Sequence, residues 1–399
     1  MSNYKIKDKK AIRGIIRELI GILKKNKKDL FALNKICTQD ALCWIKEDWE
    51  NVIDYLKNYE RNNEKNFSKK IKPKGSVLII LSYNEPLLLS IIPILNALIG
   101  GNSVKLKPSR KAREIIKKIW LDSGIILKYN LDLVILFDVA PQLVGQQIKL
   151  VNAVYFFGGH DVAREISKLC ADNFVEFFPE IETADCKVLN MKSRKDFNLE
   201  RDISLTLRES FSHAGQICHR IQGVVIVGSL YHQYVDSLKK QFLVLGGSNS
   251  QCFTEDYKID RDYLKKAICD IEDAHPEELI CSNEEIGIPL LVVSPEKDCE
   301  FVKKAYFLPI LWVIGFNSEK ELLTFLNSRK YYLGLNIFSD DNAFVEFIIG
   351  STKFSRYTIN TAHTKIRSYE GWGGVWPSGY GGYKSWLEHF TNPYTIVRK

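Results

Sequence analysis

The chain has 399 residues, 45% of them hydrophobic and 26% charged, a balance that supports two buried cores and argues against disorder throughout. Its formal charge of +8 sits partly in lysine runs such as KKNKK (24–28) and KKIKPK (69–74); with no aromatics interleaved, these read as solvated faces and linkers, and no nucleic acid is expected as a partner. Nine cysteines without repeated spacing, and a start, MSNYKIKDKK, that lacks an apolar core, predict a cytoplasmic protein whose thiols are mostly free.

From residue 9 to residue 60 the sequence predicts two or three amphipathic helices. AIRGIIRELIGILKK places Ile12, Ile15, Ile16, Leu19, Ile20 and Leu23 on one face, and ENVIDYLKNY resumes that period. The polar ERNNEKNFSKKIKPKG reads as a linker. Beyond it, strands are expected at 76–83, 102–109, 132–138, 153–159 and 174–181, with helices near 87–99, 110–124 and 160–171. Residues 77–100 are long and apolar, but Asn84, Glu85, Pro86 and Pro93 interrupt them, so a strand, a polar turn and a buried helix are expected and no integral membrane span. The alternation implies an α/β fold with a doubly wound parallel sheet. Such sheets bind ligands at the carboxyl ends of their strands, which here carry Asn84, Lys107, Gly158, Gly159 and Glu180. There is no G-x-G-x-x-G fingerprint. FFGGHDVAREI does place two glycines before a helix start, where free N–H groups could receive a phosphate, although a plain strand-to-helix turn is the simpler reading.

After residue 186 a second α/β unit is expected, with strands at 222–227 and in GIPLLVV, YFLPILWVIG and LGLNIFSDD, and helices near 261–271, 318–328 and 341–350. The division is therefore 1–185, a helical lead-in and first α/β unit; 186–365, a second α/β unit; and 366–399, a C-terminal segment. That segment is rich in glycine and aromatics, and Trp372, Trp376 and Trp386 should be packed. HAGQICHR (213–220) sets a cysteine between two histidines, which is open to a metal site, a nucleophile or a buried thiol. Zinc is not expected, because His213, Cys218 and His219 have no second ligand pair at suitable spacing, and no metal is assigned.

Five segments in order, ILSYNEP, GGNSVKLKPS, FFGGHDVAREI, HAGQICHR and GGVWPSGYGGY, resemble the ordered motifs of the aldehyde dehydrogenase superfamily over roughly residues 10–399. ELLTFLNSRKYYLGLNIFSDD (321–341) is similar to the shorter branch acting on fatty and aromatic aldehydes; the acyl-thioester reductases are a second, degenerate group. The resemblance implies a doubly wound nucleotide-binding sheet plus a second α/β catalytic domain, so that 1–185 is the nucleotide-binding domain, 186–365 the catalytic domain, and 366–399 a segment that returns to the first domain or forms an oligomer contact. It makes Cys218 the nucleophile that forms a thiohemiacetal, presented by Gly215 and Gln216, with the Asn84 amide and the Cys218 N–H as oxyanion donors. Glu180 becomes the base that activates water for deacylation, Glu176 being the alternative frame; the two glycines that usually follow are Glu182 and Thr183 here. For NAD or NADP it implies Ser82, Tyr83, Lys107, Ser109, Arg110, Gly158 and Gly159, with Glu284 and Glu285 competing for the nicotinamide ribose. Arg110 and Lys111 would welcome a 2′-phosphate. His213 stands where Asn is usual and Tyr83 where Trp is usual, and His213 and His219 are read as structural. The expected activity is NAD(P)-dependent oxidation of an aldehyde to a carboxylic acid through an acyl-enzyme. The alternatives are NADPH-dependent reduction of an acyl-CoA or other acyl-thioester, and a catalytically impaired relative acting as a binding or scaffold protein. A small-molecule aldehyde or acyl-thioester is the expected partner, in a homo-oligomer.

Overall fold

Three helices open the chain in the computed structural model, which describes residues 8–67, 69–191, 197–245, 257–379 and 384–395: α1 (Lys9–Lys25), α2 (Lys27–Thr38) and α3 (Leu42–Asn62). Asp8 caps α1 by accepting from the Ala11 N–H at 2.9 Å. The face that α1 buries is Ile12, Ile15, Ile16, Leu19, Ile22 and Leu23, so Ile22 takes the place expected of Ile20. The stretch read as a linker is ordered in part. Strand β1 (Ile71–Pro73) pairs antiparallel with β14 (Thr391–Pro393) at the far end of the chain. Asn66 also donates to Ser385 Oγ at 2.7 Å. The polar side chains that suggested a linker are satisfied by the C-terminal segment instead.

Five parallel strands form the first sheet: β2 (Ser76–Ile80), β3 (Ser103–Lys107), β4 (Leu133–Ile135), β5 (Ala153–Gly158) and β6 (Glu176–Ile181), in the order β4-β3-β2-β5-β6. Both faces are covered, as strand alternation requires: Val77 and Ile79 face α1–α3, while Leu78, Val154 and Phe156 face Ala163, Ile166 and Cys170 of helix His160–Asp172. From β2 the chain steps outward to β3 and β4, then returns beyond β2 to β5 and β6. The topological switch thus lies between the carboxyl ends of β2 and β5, the place where such sheets leave a crevice.

The second sheet has seven strands: β7 (Cys186–Asn190), β8 (Gly223–Val227), β9 (Glu278–Cys281), β10 (Leu290–Val293), β11 (Ile310–Phe316), β12 (Gly334–Ser339) and β13 (Arg356–Ile359). Their order is β13-β12-β7-β8-β11-β10-β9, parallel except for β9 against β10.

Two expectations are corrected locally. The helix expected over 87–99 is broken into Pro86–Leu89 and Ile92–Ile99, because Pro93 lacks the N–H and its ring opposes the carbonyl four residues back; the Trp120 indole donates to the Ser90 carbonyl at 2.6 Å within that break. Trp376 is 56% exposed, whereas Trp372 and Trp386 are packed. Around Trp376, Val375 and Ser378 make the contacts: the Val375 N–H donates to Tyr332 O at 3.0 Å and Ser378 Oγ accepts from the Tyr332 N–H at 2.7 Å. Among the described residues no helix is long and apolar enough to cross a membrane, and none of the described cysteines forms a disulfide.

In the second sheet Lys187 of β7 is buried against Asp202 of helix Leu199–Phe211, and donates to Thr206 Oγ1 at 3.0 Å. Burial pushes the lysine pKa down while Asp202 opposes it. Asp202→Ala leaves that ammonium buried without its partner and should lower the unfolding free energy by roughly 3–5 kcal/mol in urea titrations, while Lys187→Met combined with Asp202→Leu should recover most of the loss.

Candidate active site

Helix Leu199–Phe211 ends in a turn in which His213, Ala214 and Gly215 have φ of 51°, 52° and 77°. At Gly215 a Cβ would lie 2.4 Å from Leu308 O, so only glycine fits this left-handed position. Arg220 is buried behind the turn. Its guanidinium donates to Gly215 O at 3.0 Å, Tyr306 O at 2.8 Å, Leu308 O at 2.9 Å and Ile310 O at 2.9 Å. Burial lowers its pKa to about 9, which still leaves it charged at neutral pH. The following residues are held from the opposite side: Gln216 accepts from the Tyr83 hydroxyl at 3.1 Å and donates to Thr38 O at 3.3 Å.

His213 faces α3 and the residues before it. Its Nδ1 lies 2.9 Å from Asp40 Oδ2, its Nε2 lies 3.6 Å from Asp48 Oδ1, and its ring packs on Trp44 with centroids 5.6 Å apart. Burial works against the imidazolium, but Asp48 and Asp40 more than offset it and raise the pKa to about 10. This histidine ties the helical lead-in to the Cys218 turn chiefly through Asp40, because burial pushes Asp48 up to about 8 despite the imidazolium beside it.

Cys218 opens onto a cleft of ≈ 310 Å³ that is also lined by Ser82, Tyr83, Asn84, Gly158, Gly159 and Glu180. Thus seven of the residues singled out in the sequence share one cavity at the topological switch. Asn84 Oδ1 accepts from Ser82 Oγ at 2.6 Å, which leaves its Nδ2 as the donor available to a ligand. Thr183 Oγ1 donates to Cys218 O at 3.1 Å. Burial pushes the Cys218 thiol well above its ordinary range, and Glu85, Asp185 and Glu180 add to the rise. Burial likewise raises the Glu180 carboxyl well above the usual carboxylate range, against the Gly374 backbone and the Trp372 side chain, which favour the charged form. Glu176 is at the other end of β6 in an ion pair with Lys74 at 2.7 Å.

Two neighbours of the thiol lie outside the sequence-based set. His219 Nδ1 is 3.6 Å from Cys218 Sγ, and its Nε2 is 3.2 Å from Thr364 O, so the histidine read as structural stands against the nucleophile. Glu85 brings a carboxylate oxygen into the same group, all three ligand atoms lying within 4.8 Å of one another. His213 is not part of it. Glu85 adjoins the assigned Asn84, and that adjacency was its only signal in the sequence; His219 was visible beside Cys218 in HAGQICHR, where a metal site is one of the open readings.

The nucleotide residues divide. Lys107 closes β3, half-buried, with Nζ 3.3 Å from Pro108 O and a pKa lowered by burial and by Arg110. Ser109 Oγ accepts from the Lys111 N–H at 3.3 Å, and Arg110 is exposed beside it. Lys111 Nζ sits 4.0 Å from the Tyr83 ring centroid, a cation–π contact that occupies a lysine expected to face a phosphate. Gly159 is the N-cap of helix His160–Asp172. There Glu182 Oε1 accepts from the His160 N–H at 3.3 Å and lies 2.9 Å from His160 Nδ1. This helix start therefore binds an anionic oxygen, as a pyrophosphate site must; the residues fit a dinucleotide once the Glu182 side chain rotates aside. Glu284 and Glu285 are exposed on the turn after β9 and do not line the cleft. The end of the GGVWPSGYGGY motif, 380–383, lies outside the described residues.

Comparison with known proteins shows the family and the fold. The aldehyde dehydrogenase family profile matches residues 8–399. A 4,4′-diapolycopene aldehyde oxidase of Methylomonas is 26% identical over 335 residues, 78% of this chain and 59% of the relative, so the chain spans less than two thirds of that protein. The dimeric NADP-preferring aldehyde dehydrogenase of Rattus norvegicus is 25% identical over 329 residues, 78% of this chain and 69% of the relative. Among solved structures, the betaine aldehyde dehydrogenase of Staphylococcus aureus in complex with NAD+ superposes with a TM-score of 0.83 at 19% identity, covering 98% of this chain and 82% of that one.

The His213 tie carries a pH signature. Its pKa, about 10, exceeds the ordinary value of about 6.5, so the stabilisation it gives is fully present below the latter and is lost as pH rises through the former. His213→Gln should lower stability at neutral pH by roughly 3 kcal/mol and should reduce the decline in the urea midpoint between about pH 7 and about pH 10.

Proposed function

The chain belongs to the aldehyde dehydrogenase family, and from that premise we propose that it oxidises an aldehyde to a carboxylic acid with NAD or NADP through an acyl-enzyme on Cys218. The observation that carries the reading is the convergence of Cys218, Asn84 and Glu180 on one cleft at the switch point of the first sheet.

Bound NAD or NADP supplies the hydride acceptor. Residues 1–185 hold it, through Ser82, Tyr83, Lys107, Ser109, Arg110 and the Gly158–Gly159 turn; residues 186–365 present the nucleophile. Cys218 Sγ attacks the aldehyde carbon. The oxyanion that forms is met by Asn84 Nδ2 and the Cys218 N–H. After hydride loss the thioester remains on Cys218, and Glu180 takes a proton from the water that cleaves it. Arg110 would meet a 2′-phosphate with its guanidinium, and the similarity to a dimeric, NADP-preferring rat enzyme supports NADP use and a homo-oligomer. Segment 366–399 is then either a tie back to the first domain or an oligomer contact; the β1–β14 pairing favours the tie.

A second reading, reduction of an acyl-thioester to an aldehyde, is favoured by one observation: burial raises the Glu180 pKa well above the usual carboxylate range, and a carboxyl that resists ionisation is a poorer base toward water. The same variant decides between the two. Under the oxidative reading, deacylation speeds up as pH rises through the elevated Glu180 pKa, and Glu180→Gln gives a burst of reduced cofactor followed by a stall in stopped flow, with acyl-Cys218 visible by mass spectrometry. Unchanged steady oxidation in Glu180→Gln, or ready reduction of acyl-CoA by the native protein, favours the reductase. Cys218→Ser abolishes hydride transfer in either direction.

Glu182 on the helix start competes with the cofactor's phosphates. Glu182→Gly should therefore tighten NADH or NADPH binding, read by quenching of protein fluorescence, by roughly 2- to 5-fold, the range expected for one charge at a helix terminus.

A further inference from the structure

Glu85 and His219 have no part in the chemistry above, yet both close on the Cys218 sulfur. A thiol, an imidazole and a carboxylate within 4.8 Å of one another are the three ligand types that a borderline-soft cation takes from proteins. At Zn–S and Zn–N distances of about 2.3 and 2.0–2.1 Å, tetrahedral ligands stand roughly 3.3–3.7 Å apart. The Sγ···Nδ1 separation of 3.6 Å already falls in that range.

The imidazole is turned the right way. His219 Nε2 sits 3.2 Å from Thr364 O, a carbonyl that can only accept, so Nε2 carries the proton and Nδ1 presents its lone pair to the sulfur. This is the outer contact that metal-ligating histidines make. The Thr364 carbonyl is itself anchored, since Glu209 Oε1 accepts from the Thr364 N–H at 3.0 Å and from its hydroxyl at 3.3 Å. The ring is fixed edge-on against Trp372, with centroids 5.4 Å apart.

We propose that Cys218, His219 and Glu85 form a three-ligand site for Zn²⁺ or a similar thiophilic divalent cation, with the fourth position open to the cleft. The thiol proton leaves to solvent as the metal–sulfur bond forms. Because the metal takes the sulfur that attacks the aldehyde, metal binding and acylation exclude each other, and the cation holds the enzyme in a closed, protected state. The site depends on the positions of these side chains alone and stands whether or not the chain oxidises aldehydes.

The test uses metal-free full-length protein titrated with CoCl₂, with neither aldehyde nor nucleotide present. One equivalent of Co²⁺ should bind with a near-ultraviolet thiolate-to-cobalt charge-transfer band and visible bands of tetrahedral intensity, and ZnCl₂ should displace it. Cys218→Ser should remove the charge-transfer band. His219→Ala and Glu85→Gln should each weaken cobalt binding by about 10-fold or more, with far-ultraviolet circular dichroism confirming that each variant is folded; His219→Gln replaces the alanine variant if that one fails to fold. Zn²⁺ should also protect Cys218 from iodoacetamide, read peptide by peptide in mass spectrometry. A charge-transfer band that survives Cys218→Ser, or cobalt affinity unchanged in both the His219 and Glu85 variants, overturns the proposal. Loss of dehydrogenase activity has no bearing on any of these readouts.

Discussion

The guanidinium of Arg220 fixes the position of the turn that carries Cys218. It is 2% exposed, and all its partners among the described residues are backbone carbonyls and the Gln222 amide oxygen. A buried cation without a carboxylate is tolerable only if its five N–H groups are met by aligned dipoles. Here those dipoles come from two stretches far apart in sequence, the Cys218 turn and the 306–310 segment leading into β11. Meeting the charge forces the two together, and the close approach is what leaves Gly215 no room for a side chain. Lysine, a point charge without a planar fork, could not bind the same set.

The helical lead-in completes this arrangement from outside. Asp40 and Asp48 hold His213, Thr38 accepts from Gln216, and Tyr83 bridges from the end of β2. The turn carrying Cys218 is therefore clamped between the second sheet, through Arg220, and the first unit, through His213 and Gln216. The crevice between the two sheets is a consequence of that clamp, and its depth accounts for the upward pressure on the pKa of both Cys218 and Glu180.

Much of this was legible in the sequence where period and turn chemistry are strong. The strands of the first sheet alternate between two buried faces, so their apolar runs stand out, and Asn84, Gly158 and Glu180 followed from being at their ends. Strand β7 escaped because its fully buried run contains Lys187 and Asn190; Lys187 is satisfied by Asp202 and Thr206, partners that composition does not reveal. Edge strands β9 and β13 are half-exposed and short, which weakens the pattern further. The identity of Glu182 was readable but its place on the His160 helix start was not, since 22 residues separate the two. His219 acquired its meaning from Thr364, 145 residues away, and Glu284 and Glu285 lost theirs because the turn that carries them faces solvent.

The pairing of β1 with β14 joins residue 71 to residue 393, and it bears on how the chain is made. During synthesis Cys218 leaves the ribosome well before Thr364, Trp372 and Trp386, residues that wall its cleft, and before the strand that closes on β1. Contacts at such sequence separations form slowly, and larger chains expose unfinished surfaces while they wait. Cys218 thus spends the interval on a half-built molecule, and only when residues 364–386 have been added does it gain the walls that enclose its thiol in the cleft.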